Sequence, residues 1–249
     1  MKESFIFSKL RENSVAYEDE NRASIKGVGI KTLLLVLLTI ASAVLTSIYV
    51  PKAFESEEKL MTLVIILISS SIIATISYFL GRFFDKISHI CGVVYALAEG
   101  ISLGFITTIV ELYVPGVGIT ALGATLIIFA VVAVLFSLGF VRATRKLFAI
   151  LIALLISAIL LSIMTIFVAF VGSYTDYLWV CLVVEGIMLL FETVFLIFNF
   201  QEASDIVEAG CSKQSEWPVA LGLTVTLVYI YIRVLRILLY VASLVGRNK

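Results

Sequence analysis

Seven apolar runs, each about twenty residues long, dominate this chain and leave it few architectures. They occupy residues 32–50, 60–81, 89–110, 118–140, 147–172, 178–200 and 218–245. A helix rising ~1.5 Å per residue needs ~20 apolar residues to cross ~30 Å of hydrocarbon. Each run meets that length. The breaks between them hold helix-stopping and charged residues, such as Pro51 and Lys52, Pro115 and Gly116, and Arg142 to Lys146. Strands of a membrane barrel are ~10 residues long with alternating polarity, which these runs lack. Helices satisfy their own backbone hydrogen bonds in lipid. The expected fold is therefore all-α, a polytopic seven-transmembrane-helix bundle.

Composition agrees. Hydrophobic residues make up 61% of the 249 and charged residues 14%, against about half and about a quarter in a soluble domain. The 18 basic and 18 acidic residues cancel, so bulk charge offers nothing to a nucleic acid. Cys91, Cys181 and Cys211 lack CxxC spacing, and the single histidine, His89, lacks an HExxH or paired-His context. No disulfide framework, zinc site or resident cofactor is expected. No HExxH occurs, and the expected function is not enzymatic.

Residues 1–31 read as a polar cytosolic tail, 32–245 as the membrane domain and 246–249 as a short C-terminal tail. The first run begins behind a long charged segment, so it reads as a retained span rather than a cleaved signal. With the N-terminus inside, the inner segments carry twelve Lys and Arg residues, while the outer loops carry Lys52 and Lys59. The positive-inside rule favours that orientation. It also puts Arg247 and Lys249 outside, a mild conflict that six spans plus a re-entrant segment would remove. The expected location is the plasma membrane, with the lipid bilayer as the first partner.

Charged side chains at depth are costly, so they face the bundle interior and find partners. Helix 6 carries Glu185 and Glu192 seven residues apart, hence on one face, and Asn199 extends the stripe. Helix 3 carries Glu99 near its middle. Helix 7 carries Arg233 and Arg236. Arg233 lies fifteen residues beyond Pro218, or ~22 Å from one side. Glu185 lies seven beyond Leu178, or ~10 Å from the other. These levels nearly coincide, which predicts a Glu185–Arg233 pair. Arg236 is expected to reach the outer interface. Three glutamates exceed what two arginines can neutralise. Glu99 and Glu192 are thus candidates for a titrating or calcium-binding site, because calcium prefers several oxygen ligands. Burial disfavours the ionised carboxylate in general, so such a site would respond to pH. The alternative is that the charges clamp helices and conduct nothing. Gly100 and Gly104 form a GxxxG pattern, whose default meaning is helix packing. Ser69 to Ser71 would either line a polar path or bond their own helix.

Three segments carry a family resemblance. They are Tyr95-Ala-Leu-Ala-Glu99-Gly100-Ile-Ser-Leu-Gly104, Ala121-Leu-Gly123-Ala-Thr125-Leu-Ile-Ile-Phe129-Ala130-Val131, and Glu216-Trp217-Pro-Val-Ala-Leu-Gly222-Leu-Thr224-Val-Thr226 continuing to Leu235-Arg236-Ile-Leu. In order, spacing and helix count, roughly residues 24–240 resemble the bacterial-type branch of the Bax inhibitor-1 (transmembrane BAX inhibitor motif) family. The resemblance implies a seven-helix bundle with helix 7 at its centre. It also implies a pH-sensitive calcium leak, gated by an aspartate pair on helices 6 and 7 with an arginine near the end of helix 2. Carried over, Arg82 takes the arginine position and Glu202 the helix 6 aspartate, with Asp205 the nearby alternative. The helix 7 position falls on Thr226, which cannot ionise, so a shared-proton pair with Glu202 cannot form. That raises interest in Glu99, Glu185 and Glu192 as oxygen donors on a calcium path. The leading expectation is a channel for calcium or another cation. A proton-coupled secondary transporter and a non-conducting regulatory membrane protein are the alternatives. The sequence sets no oligomeric state.

Overall fold

A computed structural model describes residues 22–53, 57–171 and 174–247. The polar tail through residue 21 and the last two residues lie outside it. Seven long helices follow one another: α1 (Ile25–Ala53), α2 (Glu57–Phe83), α3 (Ser88–Tyr113), α4 (Val117–Ser137), α5 (Arg145–Val171), α6 (Tyr174–Glu208) and α7 (Glu216–Arg247). A single 3-10 turn, Lys213–Ser215, precedes α7. Among the described residues there is no sheet, only an isolated antiparallel bridge between Arg22 and Ser212.

All seven helices are long and apolar enough to cross a membrane. The seventh is one continuous helix of 32 residues, or ~48 Å of rise. It is long enough to span the bilayer whole, so six spans plus a re-entrant segment is set aside. Large apolar side chains stand exposed along the helices, among them Ile163, Phe167 and Phe170 of α5. Water would not tolerate so much contiguous apolar surface, whereas acyl chains cover it.

Two helices outrun their apolar runs by seven residues or more at one end. α1 begins at Ile25, inside the segment read as polar tail, because Ser24 accepts the Gly27 N–H at 2.9 Å and caps the first turn. α6 continues past Phe200 to Glu208. A charged residue ends a lipid-facing run without ending a helix. What stops α6 is Gly210, whose φ of 66° admits the left-handed turn. There the Cys211 N–H reaches back to the Ile206 carbonyl at 3.0 Å.

The chain divides into two compact units that share α3, α6 and α7. The first holds α1, α2, α3 through Thr108, and residues 199–225. Its core joins Leu35 of α1, Ala74 of α2, Tyr95, Ala96 and Ala98 of α3, and Ala220, Leu221 and Val225 of α7. The GxxxG glycines do what packing predicts. A Cβ on Gly100 would strike Thr39 and Ser42 of α1, and one on Gly104 would strike Ala43 and Thr46. The Ser42 hydroxyl uses that approach to donate to the Leu97 carbonyl at 2.7 Å.

The second unit holds the end of α3, α4, α5, α6 through Phe198, and α7 from Thr226. Its α3–α4 turn is stitched by Glu111, whose two carboxylate oxygens accept the N–H groups of Gly116 and Gly118, each at 2.7 Å. The carboxylate thus satisfies free donors at the start of α4.

Candidate ion-pair sites in the spanning helices

In the first unit the last turn of α2 delivers Arg82 to the extension of α6. Its Nη2 donates to Glu202 Oε2 at 2.5 Å, with about a third of each side chain exposed, 29% and 34%. Its Nη1 donates to the Pro218 carbonyl in the first turn of α7 at 3.4 Å. Asn199 lies one turn before Glu202 and is buried. Gly222 makes room on the α7 side: a Cβ there would stand 3.2 Å from Asn199 Oδ1 and 3.9 Å from Arg82 Nη1. Asp205 instead accepts from Gln201 Nε2 at 2.9 Å. Of the two carboxylates carried over from the resemblance, Glu202 is the one that meets the arginine. Thr226 is buried and has no charge to contribute.

Glu99 is half-buried on α3 and has no ion pair or side-chain hydrogen bond among the described residues. One turn further on, the Ser102 hydroxyl approaches those of Ser70 at 3.4 Å and Ser71 at 3.2 Å. Ser70 and Ser71 also bond the Leu67 carbonyl of their own helix. The serine run therefore bonds its own helix, the second of the two readings.

In the second unit the predicted Glu185–Arg233 pair is present, Nη1 to Oε2 at 2.9 Å. Arg233 does more than the depth arithmetic asked of it. Its Nε donates to Glu192 Oε1, also at 2.9 Å. A guanidinium carries donors on two edges, so one arginine serves two carboxylates a helical repeat apart. Glu192 is therefore paired, contrary to the expectation that it would be left over. Its second oxygen is buried with no hydrogen-bond partner among the described residues. Arg236 closes the group by donating Nη1 to Glu185 Oε1 at 3.2 Å, while 45% of its side chain stays exposed. It reaches outward and pairs inward at once. Beside Glu185 lies a cavity of about 350 Å³, lined also by Ser162, Thr165, Tyr177, Cys181 and Tyr240.

Among the described residues no three His, Cys, Asp or Glu side chains converge as a metal site would require. Glu99 and Glu192, the candidates for calcium, thus belong to no such group.

Seven membrane-crossing helices with arginine–glutamate pairs set into them define a polytopic α-helical membrane protein. A sequence model of the family described as Bax inhibitor 1 like matches residues 4–243, and the chain belongs to that family. No curated protein and no solved structure matches it.

Reading the sequence alone missed the polar contacts made by Lys31, Ser24 and Glu216. Glu216 was visible only as part of the family-like segment that opens helix 7. Its partners lie nearly the whole chain away, and nothing local announces them.

Proposed function

We propose that this protein is a pH-sensitive leak channel that passes calcium or another cation down its gradient, with Arg82 and Glu202 forming its closure. It sits in the plasma membrane with the N-terminus cytoplasmic, and no covalent chemistry is involved. The observation that carries the reading is the Arg82–Glu202 contact at 2.5 Å, made between helix ends by side chains still about one-third exposed. A pair so placed is within reach of protons and cations and costs little to open. Loss of the Glu202 contact frees Arg82. The partner carboxylate expected on helix 7 is replaced by Thr226, so the closure here is a carboxylate–guanidinium contact and not a shared-proton carboxylate pair. Glu99, which makes no ion pair among the described residues, supplies the oxygen a passing cation would meet.

The test is calcium flux into liposomes holding the purified protein, at pH 6 and pH 8. The expected result is a leak that differs between the two and rises in Glu202→Gln. If neither calcium nor monovalent cations move at either pH, the channel reading fails. A non-conducting regulatory protein is the competing reading, favoured by the pairing of Arg233 and Arg236 with Glu185 and Glu192. A proton-coupled transporter would instead show calcium movement tied to an opposing proton flux.

A further inference from the structure

Glu216, the first residue of α7, has no exposed surface at all. A carboxylate buried this deeply must be paired and hydrogen-bonded. Its partners all come from the start of α1. Oε1 accepts the Ser24 backbone N–H at 2.8 Å and faces the Ser24 hydroxyl at 3.4 Å. Oε2 forms an ion pair with Lys31 Nζ at 2.7 Å but accepts no hydrogen bond among the described residues. The side chain therefore caps a helix other than its own, taking one backbone donor left free at the N-terminus of α1. Lys31 returns the contact: it donates to the Lys213 carbonyl at 2.8 Å and stands 5.0 Å above the Trp217 ring. Gly27 is the seat of the arrangement, because a Cβ there would collide with the Glu216 carboxylate. The Ala23 N–H to Cys211 carbonyl bond, at 2.8 Å, extends the same clasp onto the α6–α7 turn. Two residues beyond Glu216, the Pro218 carbonyl accepts from Arg82, the guanidinium that holds Glu202.

We infer that Glu216 is a positioning residue: clasped by Ser24 and Lys31, it holds the first turn of α7 against Arg82 and so sets the Arg82–Glu202 closure. The inference rests on reading that pair as a closure. Opening the clasp frees the first turn of α7, withdraws the Pro218 carbonyl from Arg82 and loosens its grip on Glu202. Ser24 and Lys31 thereby act on the closure through Glu216.

Cys211 reports on the clasp by itself. It is buried in the α6–α7 turn, outside the apolar spans, and Ala23 is bonded to its carbonyl. In a Cys91→Ala, Cys181→Ala background, detergent-solubilised protein is treated with a maleimide and the Cys211 labelling rate is followed. That rate tracks the population of the opened form. Lys31→Met, Glu216→Gln and Gly27→Ala should each raise it roughly tenfold, and the exchange Lys31→Glu with Glu216→Lys should return part of the protection. The same variants are assayed for calcium leak beside Glu202→Gln. The inference stands if labelling and leak rise together and the charge exchange lowers both. Unchanged labelling in all three single variants overturns the clasp. Raised labelling with unchanged leak, while Glu202→Gln leaks, overturns the coupling and leaves the closure standing. If Glu202→Gln leaks no more than the wild type, the closure reading has failed, whatever the labelling shows. Gly27→Ala keeps every charge, so its behaviour separates geometry from electrostatics should Glu216→Gln fold poorly.

Discussion

Two of the ionic groups among the described residues solve opposite problems. Arg233 and Arg236 meet Glu185 and Glu192 deep in spanning helices, two cations to two anions, with both glutamates under a tenth exposed. Arg82 meets Glu202 where α2 ends and α6 has run beyond its apolar stretch, with a third of each side chain exposed. The first group has nowhere to send an unpaired charge, so its pairing is obligatory. The second is less enclosed, so its pairing is the one read as conditional. Arginine and glutamate thus serve as a fixed joint in one place and as an adjustable contact in the other.

The largest expected effect tests the obligatory side. Arg233→Met leaves two buried carboxylates facing one remaining arginine. Losing one partner of a buried pair costs ~3–5 kcal/mol. Thermal unfolding in detergent should show a fall of many degrees or a loss of folded protein. A variant that melts like the wild type would break the comparison. The carboxylates should then separate. Glu185 is engaged through both oxygens and Glu192 through one. Glu185→Gln should therefore destabilise more than Glu192→Gln, by ~1 kcal/mol in the same melt. Equal losses would mean that the Arg236 contact contributes nothing.

Much of the obligatory group could be read in the sequence. Depth along a spanning helix is a count of residues, so the Glu185 and Arg233 levels could be matched with a ruler. The count treats each charge as a point, which is why Glu192 seemed surplus: the two-edged guanidinium of Arg233 is a matter of shape. The conditional group was legible only through family resemblance. Composition put Glu202 and Asp205 in a loop, because charge marks where lipid stops and not where a helix stops. Choosing between them needed the helix, which turns Glu202 to Arg82 and Asp205 to Gln201. The Glu216 clasp was illegible for a different reason. It joins two polar segments 192 residues apart in sequence, and neither shows periodicity that points to the other.

On the conditional side, stability and activity should part company. Glu202→Gln removes a partly exposed ion pair, a loss of ~1 kcal/mol or less, so its melt should stay near the wild type. A closure held by that energy shifts its population a few-fold when the contact goes, and the calcium leak should rise by a like factor. A large melting shift would instead place Arg82–Glu202 in the same class as Arg233. Gly222→Ala sharpens the point. The added methyl meets Asn199 at 3.2 Å and Arg82 at 3.9 Å. Only Asn199 must give way, by a few tenths of an ångström. The expected change in stability is under ~1 kcal/mol, with a measurable change in leak.

The smallest effect on stability belongs to Glu99→Gln. Glu99 makes no ion pair among the described residues, so the change breaks no contact. The neutral amide is also easier to keep in a spanning helix than a carboxylate. The melting temperature should hold or rise slightly. Flux is where this substitution should register. If Glu99 offers its oxygens to passing cations, the amide lowers calcium leak and narrows the difference between pH 6 and pH 8. The leak raised by Glu202→Gln should fall again in the double variant, because a closure that no longer holds is of little use to a path that has lost its ligand. Leak unchanged in both Glu99→Gln and the double variant would remove Glu99 from the path. The conditional contact at Arg82 would then be the only one of these charges left to govern cation flow.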